Sequence, residues 1–327
     1  MLSGFTKKTI LSGLLSLGVA CLAFACFIRP ARAENVYGLW VGGVQVTDSN
    51  CGNITGGQII SGTITYDSLT STLTLNNALV YGFTDHYKNA AIYADSSIPH
   101  LTIDLVGNNR LASAGFDGQP YSLPDTIMEA AAIYVNGSLT IRGDGGLEAR
   151  TQNTTGNTTY VISAQRGTVY IEGGNLALHA GFGTKAHSYG IYASGIDISG
   201  GNVEASGRSY IRGIGIYGSV IISGGSVATQ GTSFAIGREP SLRNMEAIAS
   251  YEYHGNNPTS YKSSELESYK WFETKPKAPA APRVVVQTVI PETGDHTPLM
   301  LMFGLLLFSG CALAIRMFSR RHARKEQ

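Results

Sequence analysis

Charge is scarce in this chain: 14% of its 327 residues are Asp, Glu, Lys or Arg, where soluble domains carry about 25%. The formal net charge is +1, from 24 basic and 23 acidic residues, and so no basic face marks a nucleic-acid binder. Cysteine is scarcer still. Of the four, Cys21 and Cys26 fall in the N-terminal segment and Cys311 near the C-terminus. Only Cys51 stands between them, so a disulfide-stapled mini-domain is excluded, and Cys51 reads as a small buried hydrophobe. The histidines between the end segments have no metal-ligand spacing, and no phosphate loop or nucleophile elbow is present. What is plentiful is glycine, 40 residues or about 12% against an ordinary ~7%. It has no G-x-y period, which excludes collagen. The hydrophobic fraction of 43% is enough for a core and excludes wholesale disorder.

The two ends read as addresses. Lys7 and Lys8 open the chain, Ile10 to Ile28 is uncharged and apolar, and Ala31-Arg32-Ala33 follows. This is the layout of a signal peptide over residues 1–33, with Ala31 and Ala33 as the small residues a signal peptidase reads. An uncleaved membrane anchor is the alternative. Far downstream, Ile290-Pro291-Glu292-Thr293-Gly294 precedes an apolar run over residues 299–315 and a basic tail over 316–327. As a helix, the run of 17 residues spans about 25 Å, just able to cross a thin bilayer. The basic tail, with Arg316, Arg320, Arg321, Arg324 and Lys325, would stay on the cytoplasmic side.

This order of motif, apolar run and basic tail resembles the sorting signal of Gram-positive surface proteins processed by sortase. The family motif is Leu-Pro-x-Thr-Gly, and Ile290 stands in place of its leucine. The resemblance implies that a sortase thiolate attacks the Thr293 carbonyl, releases Gly294 onward and passes the acyl group to a peptidoglycan amine. Sortase and peptidoglycan are then partners, and the protein is secreted and anchored to the cell wall from a precursor that spans the membrane at its C-terminus. An ordinary tail-anchor helix is the alternative.

Between the ends the chain repeats. A first stretch recurs as Ala91-Ile92-Tyr93, Ala132-Ile133-Tyr134, Val161-Ile162-Ser163, Gly190-Ile191-Tyr192 and Gly215-Ile216-Tyr217. A second recurs as Leu101-Thr102-Ile103, Leu139-Thr140-Ile141, Val169-Tyr170-Ile171, Ile196-Asp197-Ile198 and Val220-Ile221-Ile222. A third follows Gly-Gly or Gly-Asn, as in Gly146-Leu147-Glu148-Ala149 and Asn202-Val203-Glu204-Ala205. The isoleucines step by 29, 29 and then 25 residues from Ile133 to Ile216. Within a stretch, inward and outward residues alternate, the mark of a half-buried strand. Three short strands per unit, turned by glycine, predict an all-β, right-handed parallel β-helix over residues 34–273, with a β-sandwich as the alternative. Strands around Leu39 to Val46 and Thr72 to Ala78 are expected to cap its N-terminal end. Tyr251-Glu252-Tyr253 and Tyr269 to Phe272 are expected as its last strands, before a Pro/Ala-rich spacer over 274–289.

The opening Leu39-Trp40-Val41, the strand Thr72 to Ala78 and the recurring Gly-Ile-Tyr coil resemble a family of bacterial surface β-helix modules identified as carbohydrate-binding. That family is similar in architecture to pectate lyases, and the resemblance implies binding of acidic polysaccharide, in some members with calcium. The expected role is non-catalytic binding of a polysaccharide or host glycan. A β-helix lyase or hydrolase, or a structural surface or minor pilus component, are the alternatives.

Insertions fall after the third strand of nearly every unit and would project from one corner, often the binding side of a solenoid. They offer Tyr121, Lys185, His187, Arg208, Tyr210 and Arg212 as candidate ligand contacts, since aromatic plates and cations suit sugar faces and carboxylates. If the column isoleucines point inward, Tyr134, Tyr192 and Tyr217 point outward and stack, either as a glycan platform or as a stiffener of the sheet. Glu148, Ala177 and Glu204 fall on consecutive coils. Their carboxylates would stand about 9.6 Å apart, two rungs, too far for typical paired-carboxylate glycosidase work. Asp197 with Glu204 is the candidate for calcium, and no other cofactor is called for.

Overall fold

The computed structural model describes residues 34–85, 88–113, 129–151, 158–181 and 187–277. The signal segment, the sortase motif, the apolar run 299–315 and the tail lie outside the described residues. The described residues fall in one compact unit that ends at Lys277.

This unit is all-β, a single large and mostly parallel sheet wound into a solenoid. A first face stacks Lys88–Ala94, Glu129–Val135, the leading parts of Thr158–Ile171, His187–Ile198 and Arg212–Ile222, and finally Phe234–Ile236. A second face stacks His100–Val106, Ser138–Gly143, the trailing parts of the same three long strands, and Ser241–Leu242. The third stacks Asn108–Ala112, Gly146–Thr151, Asn175–Ala180, Asn202–Gly207 and Ser226–Gly231. All these pairings are parallel, one coil upon the next.

The repeat registers as the isoleucine spacing predicts. Ile92, Ile133, Ile162, Ile191, Ile216 and Ile236 pair in one column, and all six are 0–1% exposed. Burying each side chain supplies about 1.5–3 kcal/mol, which makes such columns the main support of a coil with no disulfide. Leu101, Leu139, Val169, Ile196 and Val220 form the equivalent column on the second face. On the third face the column opens with a polar residue, Asn109, which is 1% exposed. Its amide is satisfied by Ala78 N at 2.9 Å and by the Val106 and Gly146 carbonyls at 3.2 Å.

Two corners are built differently. Between the first and second faces the three long strands bend through a register shift and continue. Between the second and third faces the chain turns on glycine. Gly201 and Gly225 have φ of +75° and +73°, and a Cβ at Gly225 would lie 2.3 Å from the Gly201 carbonyl oxygen. Only glycine fits that position without strain. The turns are tied rung to rung, with Asn202 N donating to Gly174 O and Ser226 N to Gly201 O, both at 2.9 Å.

Antiparallel strands cover both ends. Val36–Val41 lies against Lys88–Ala94, and Ile59–Asp67 against Thr72–Tyr81. At the other end Trp271–Pro276 lies on Ser226–Gly231 and on Met245–Ser250. Two expectations change here. Thr72–Tyr81 is more than a cap, since it pairs in parallel with His100–Val106 and Asn108–Ala112 as the first rung of two faces. Tyr251 to Tyr253 is a bend and turn instead of a strand: Tyr251 turns its ring onto Tyr269, 5.1 Å away, and its hydroxyl onto Glu265. Cys51 is half-buried against the core.

Candidate functional site

The first face carries a second, outward-facing apolar layer. Its alternation is broken at the same place in every rung, because the residue before each column isoleucine also points inward. Ala91, Ala132, Val161 and Ala235 all belong to the inner core beside their isoleucines. Residues three apart therefore both face out. One outward column runs Trp40, Tyr93, Tyr134, Ser163, Tyr192 and Tyr217. Its neighbour runs Ala90, Ala131, Tyr160, Tyr189, Ile214 and Phe234. The volumes complement each other: alanine lies beside Tyr93 and Tyr134, and tyrosine lies beside Ser163.

Ring stacking follows these columns. Tyr93 stacks on Tyr134 at 5.8 Å, Tyr192 on Tyr217 at 5.3 Å and Tyr160 on Tyr189 at 5.6 Å. The predicted outward stack is present in this form. Tyr134 itself is only 7% exposed, so access to the layer lies at Tyr192 and Tyr217, which are half-buried. Burial raises the phenol pKa of Tyr160, with Glu129 adding to it, and burial raises that of Tyr189 against the opposing charge of Arg212. Both phenols stay neutral donors throughout the physiological range.

Cations gather at the C-terminal end of this layer. His187 and Arg212 pair in register on adjacent strands. The Arg212 guanidinium lies 5.7 Å from the Tyr217 ring and 5.8 Å from Phe234, and Arg238 lies 5.3 Å from Tyr217. The His187 ring is stacked near Tyr189 at 6.5 Å. Among the described residues, Arg212 Nε and His187 Nδ1 are both buried atoms with no hydrogen-bond partner, which costs free energy until an acceptor or donor meets them. Here the structure brings together four of the predicted residues, His187, Arg212, Tyr192 and Tyr217.

The others are placed apart. Arg208 turns to the C-terminal cap, 4.9 Å over Tyr253. Tyr210 stands 86% exposed at a loop tip, next to Ile211 at 59%. Ser209 fixes that tip by accepting from Ile211 N at 3.1 Å and by donating its backbone N–H to Thr232 Oγ1 at 3.1 Å. Tyr121 and Lys185 lie outside the described residues. Asp197 sits on the second face between Tyr170 and Ile221, and Glu204 on the third between Ala177 and Ala228. Among the described residues no group of three or more His, Cys, Asp or Glu could hold a metal ion. Glu148 and Glu204 are separated by the Ala177 rung as expected, and Glu148 is engaged by Arg110 at 3.1 Å and Arg150 at 2.5 Å.

Comparison with protein-family models, curated proteins and solved structures gives no match for this chain. The functional reading therefore rests on the residues themselves. Tyr160, Tyr189, Phe234 and Arg238 belong to the cluster although strict alternation along the strand hides them. Their signal is position: each of the first three lies three residues before a column position or in register with one that does.

Proposed function

We propose that this chain is an exported protein held on a Gram-positive cell wall, whose right-handed β-helix domain binds a polysaccharide or host glycan without cleaving it. The observation that supports this most is the corner where Arg212, Arg238, His187, Tyr192, Tyr217 and Phe234 converge, with two buried nitrogens that lack partners among the described residues. A sugar offers what these groups lack. Its CH face suits the rings of Tyr217 and Tyr192, and its hydroxyls or a uronate carboxylate suit Arg212 and His187. Tyr210, 86% exposed on the loop before Arg212, offers a further ring, and Tyr121 and Lys185 stay candidate contacts of the insertions.

Affinity electrophoresis of the full chain in gels containing polygalacturonate tests the site. The glycan should retard the protein, and Arg212→Ala with Tyr217→Ala should remove the retardation. Release of unsaturated uronate would replace binding by lyase chemistry, and retardation that vanishes only in Asp197→Asn or with a chelator would move the site to the calcium candidates. The address is tested separately. In the sortase reading, Thr293→Ala leaves the protein in the membrane fraction, and unchanged wall attachment of that variant would overturn it.

A further inference from the structure

A second open feature lies at another corner, where the second face turns into the third. Two adjoining grooves, of about 430 and 280 Å³, share Asn175 in their walls. The first is bounded by Asp104, Asn108, Asp144 and Asn175 over the glycine backbone of the turns, the second by Asn175, Ala177, Asn202, Glu204 and Ser226. Asn108, Gly146, Asn175, Asn202 and Ser226 are in register on consecutive rungs. The trench thus crosses five rungs, four steps of ~4.8 Å or roughly 19 Å.

Its chemistry is one-sided. Asn108, Asn175 and Asn202 are all exposed. Asn202 Nδ2 donates to Asn175 Oδ1 at 2.8 Å, which leaves each amide with further donors and acceptors to offer. Three carboxylates, Asp104, Asp144 and Glu204, line the trench, and no Lys, Arg or His does. On the third face Arg110 and Arg150 are both held on Glu148. Arg142 stands in register with Asp104 but makes no ion pair with it. The stretch from Glu34 to Thr293 adds a net charge of −6, from 15 basic and 21 acidic residues, which draws cations toward it from a distance.

We propose that this trench binds a linear amino-sugar polymer bearing free ammonium groups, laid along the coil axis. The rung spacing is close to the length of one hexose in an extended chain, so successive sugars meet successive rungs. Amides of the asparagine column hydrogen-bond sugar hydroxyls, and Asp104, Asp144 and Glu204 pair with ammonium groups through charge-assisted bonds. The selectivity is opposite to that of the arginine-bearing corner, and the inference does not depend on that corner binding anything.

The test is calorimetric titration of the full chain with a glucosamine oligomer, its fully N-acetylated counterpart and a galacturonate oligomer of equal length. The glucosamine oligomer should bind at least about tenfold more tightly than the acetylated one and should weaken as salt is raised. Asp104→Asn with Asp144→Asn should remove that preference and Ala177→Trp should block binding by filling the trench, whereas glucosamine binding should persist in Tyr217→Ala whatever that variant does to galacturonate. Equal affinity for the acetylated oligomer, or binding that persists in Ala177→Trp, overturns the proposal. So does loss of glucosamine binding in Tyr217→Ala, which would assign the ligand to the aromatic corner. If Ala177→Trp fails to fold, the Asp104 and Asp144 pair decides alone.

Discussion

The two outward columns of the first face predict an exchange experiment. Tyr160 is 6% exposed, stacked on Tyr189 at 5.6 Å and edge-on to Tyr192 at 5.4 Å. Removing the ring in Tyr160→Ala should cost about 3–5 kcal/mol, the range for deleting a buried aromatic. Ser163, in the neighbouring column, is fully buried, so Ser163→Tyr alone overpacks the layer at about 1–3 kcal/mol. Independent effects would sum to about 4–8 kcal/mol. Yet the rung below already holds the exchanged arrangement, with Ala131 under Tyr160 and Tyr134 under Ser163. The double variant Tyr160→Ala with Ser163→Tyr restores that pairing of small and large. It should lose no more than about 2 kcal/mol, a coupling of at least about 2 kcal/mol. Urea midpoints at unchanged m measure all three variants. A double variant as unstable as the sum of its parts would refute the idea that the two columns share one volume.

Three further outcomes concern buried polarity, a glycine turn and the C-terminal cap. Ser163 Oγ is buried with no partner among the described residues, so Ser163→Ala should raise stability by about 1 kcal/mol in urea, the desolvation cost of an unmade hydrogen bond; a loss would mean that the hydroxyl is satisfied. At Gly225, with φ of +73° and a Cβ site 2.3 Å from a carbonyl oxygen, alanine should cost at least about 2 kcal/mol. Gly146→Ala should stay within about 1 kcal/mol of the parent, because the nearest atom to its Cβ site is the flexible end of Asn108 at 3.3 Å; equal thermal midpoints for the two glycine variants would count against the turn argument. The C-terminal cap carries a clasp, in which hydrogen bonds from Tyr251 first, then Lys262 and Tyr269, hold the Glu265 carboxyl below its ordinary 4.5. A lowered pKa contributes stability that is present above 4.5 and is lost as pH falls through the folded value. The Tyr251 phenol is pushed up to about 12 by the same bond, so its contribution is lost only as pH rises from 10 toward 12. Melting curves of wild type and Glu265→Gln should converge in acid and separate near neutrality; parallel curves at all pH values would remove the clasp from the cap's stability.

Much of the coil was legible because a solenoid places a residue's neighbours one period away along the chain. Ile133, Ile162 and Ile191 recur at 29 residues and meet in space for that reason alone. The trench was less legible: its asparagines are visible as turn residues, but a groove arises only when the turns of five rungs align over a floor of glycine backbone. The cluster around Arg212 was half legible. Tyr192 and Tyr217 follow from the repeat, whereas Tyr160 and Tyr189 do not under strict alternation, which would turn them the other way. The clue that alternation fails was nevertheless present. Each column isoleucine is preceded by Ala, Ala, Val, Gly, Gly or Ala, from Ala91 to Ala235. Such small residues are what a second consecutive inward position requires. A Cβ at Gly190 would lie 2.5 Å from the Gly215 carbonyl, and one at Gly215 would lie 1.8 Å from Thr229 Oγ1. Thr229 in turn is 1% exposed and donates to the Ala235 carbonyl at 2.9 Å, so it cannot yield. A larger residue before the isoleucine would have to face out, the strand would regain its alternation, and the position three back would turn into the core. The second tyrosine column therefore depends on the residue that follows each of its members in the chain fitting on the inward side of the strand.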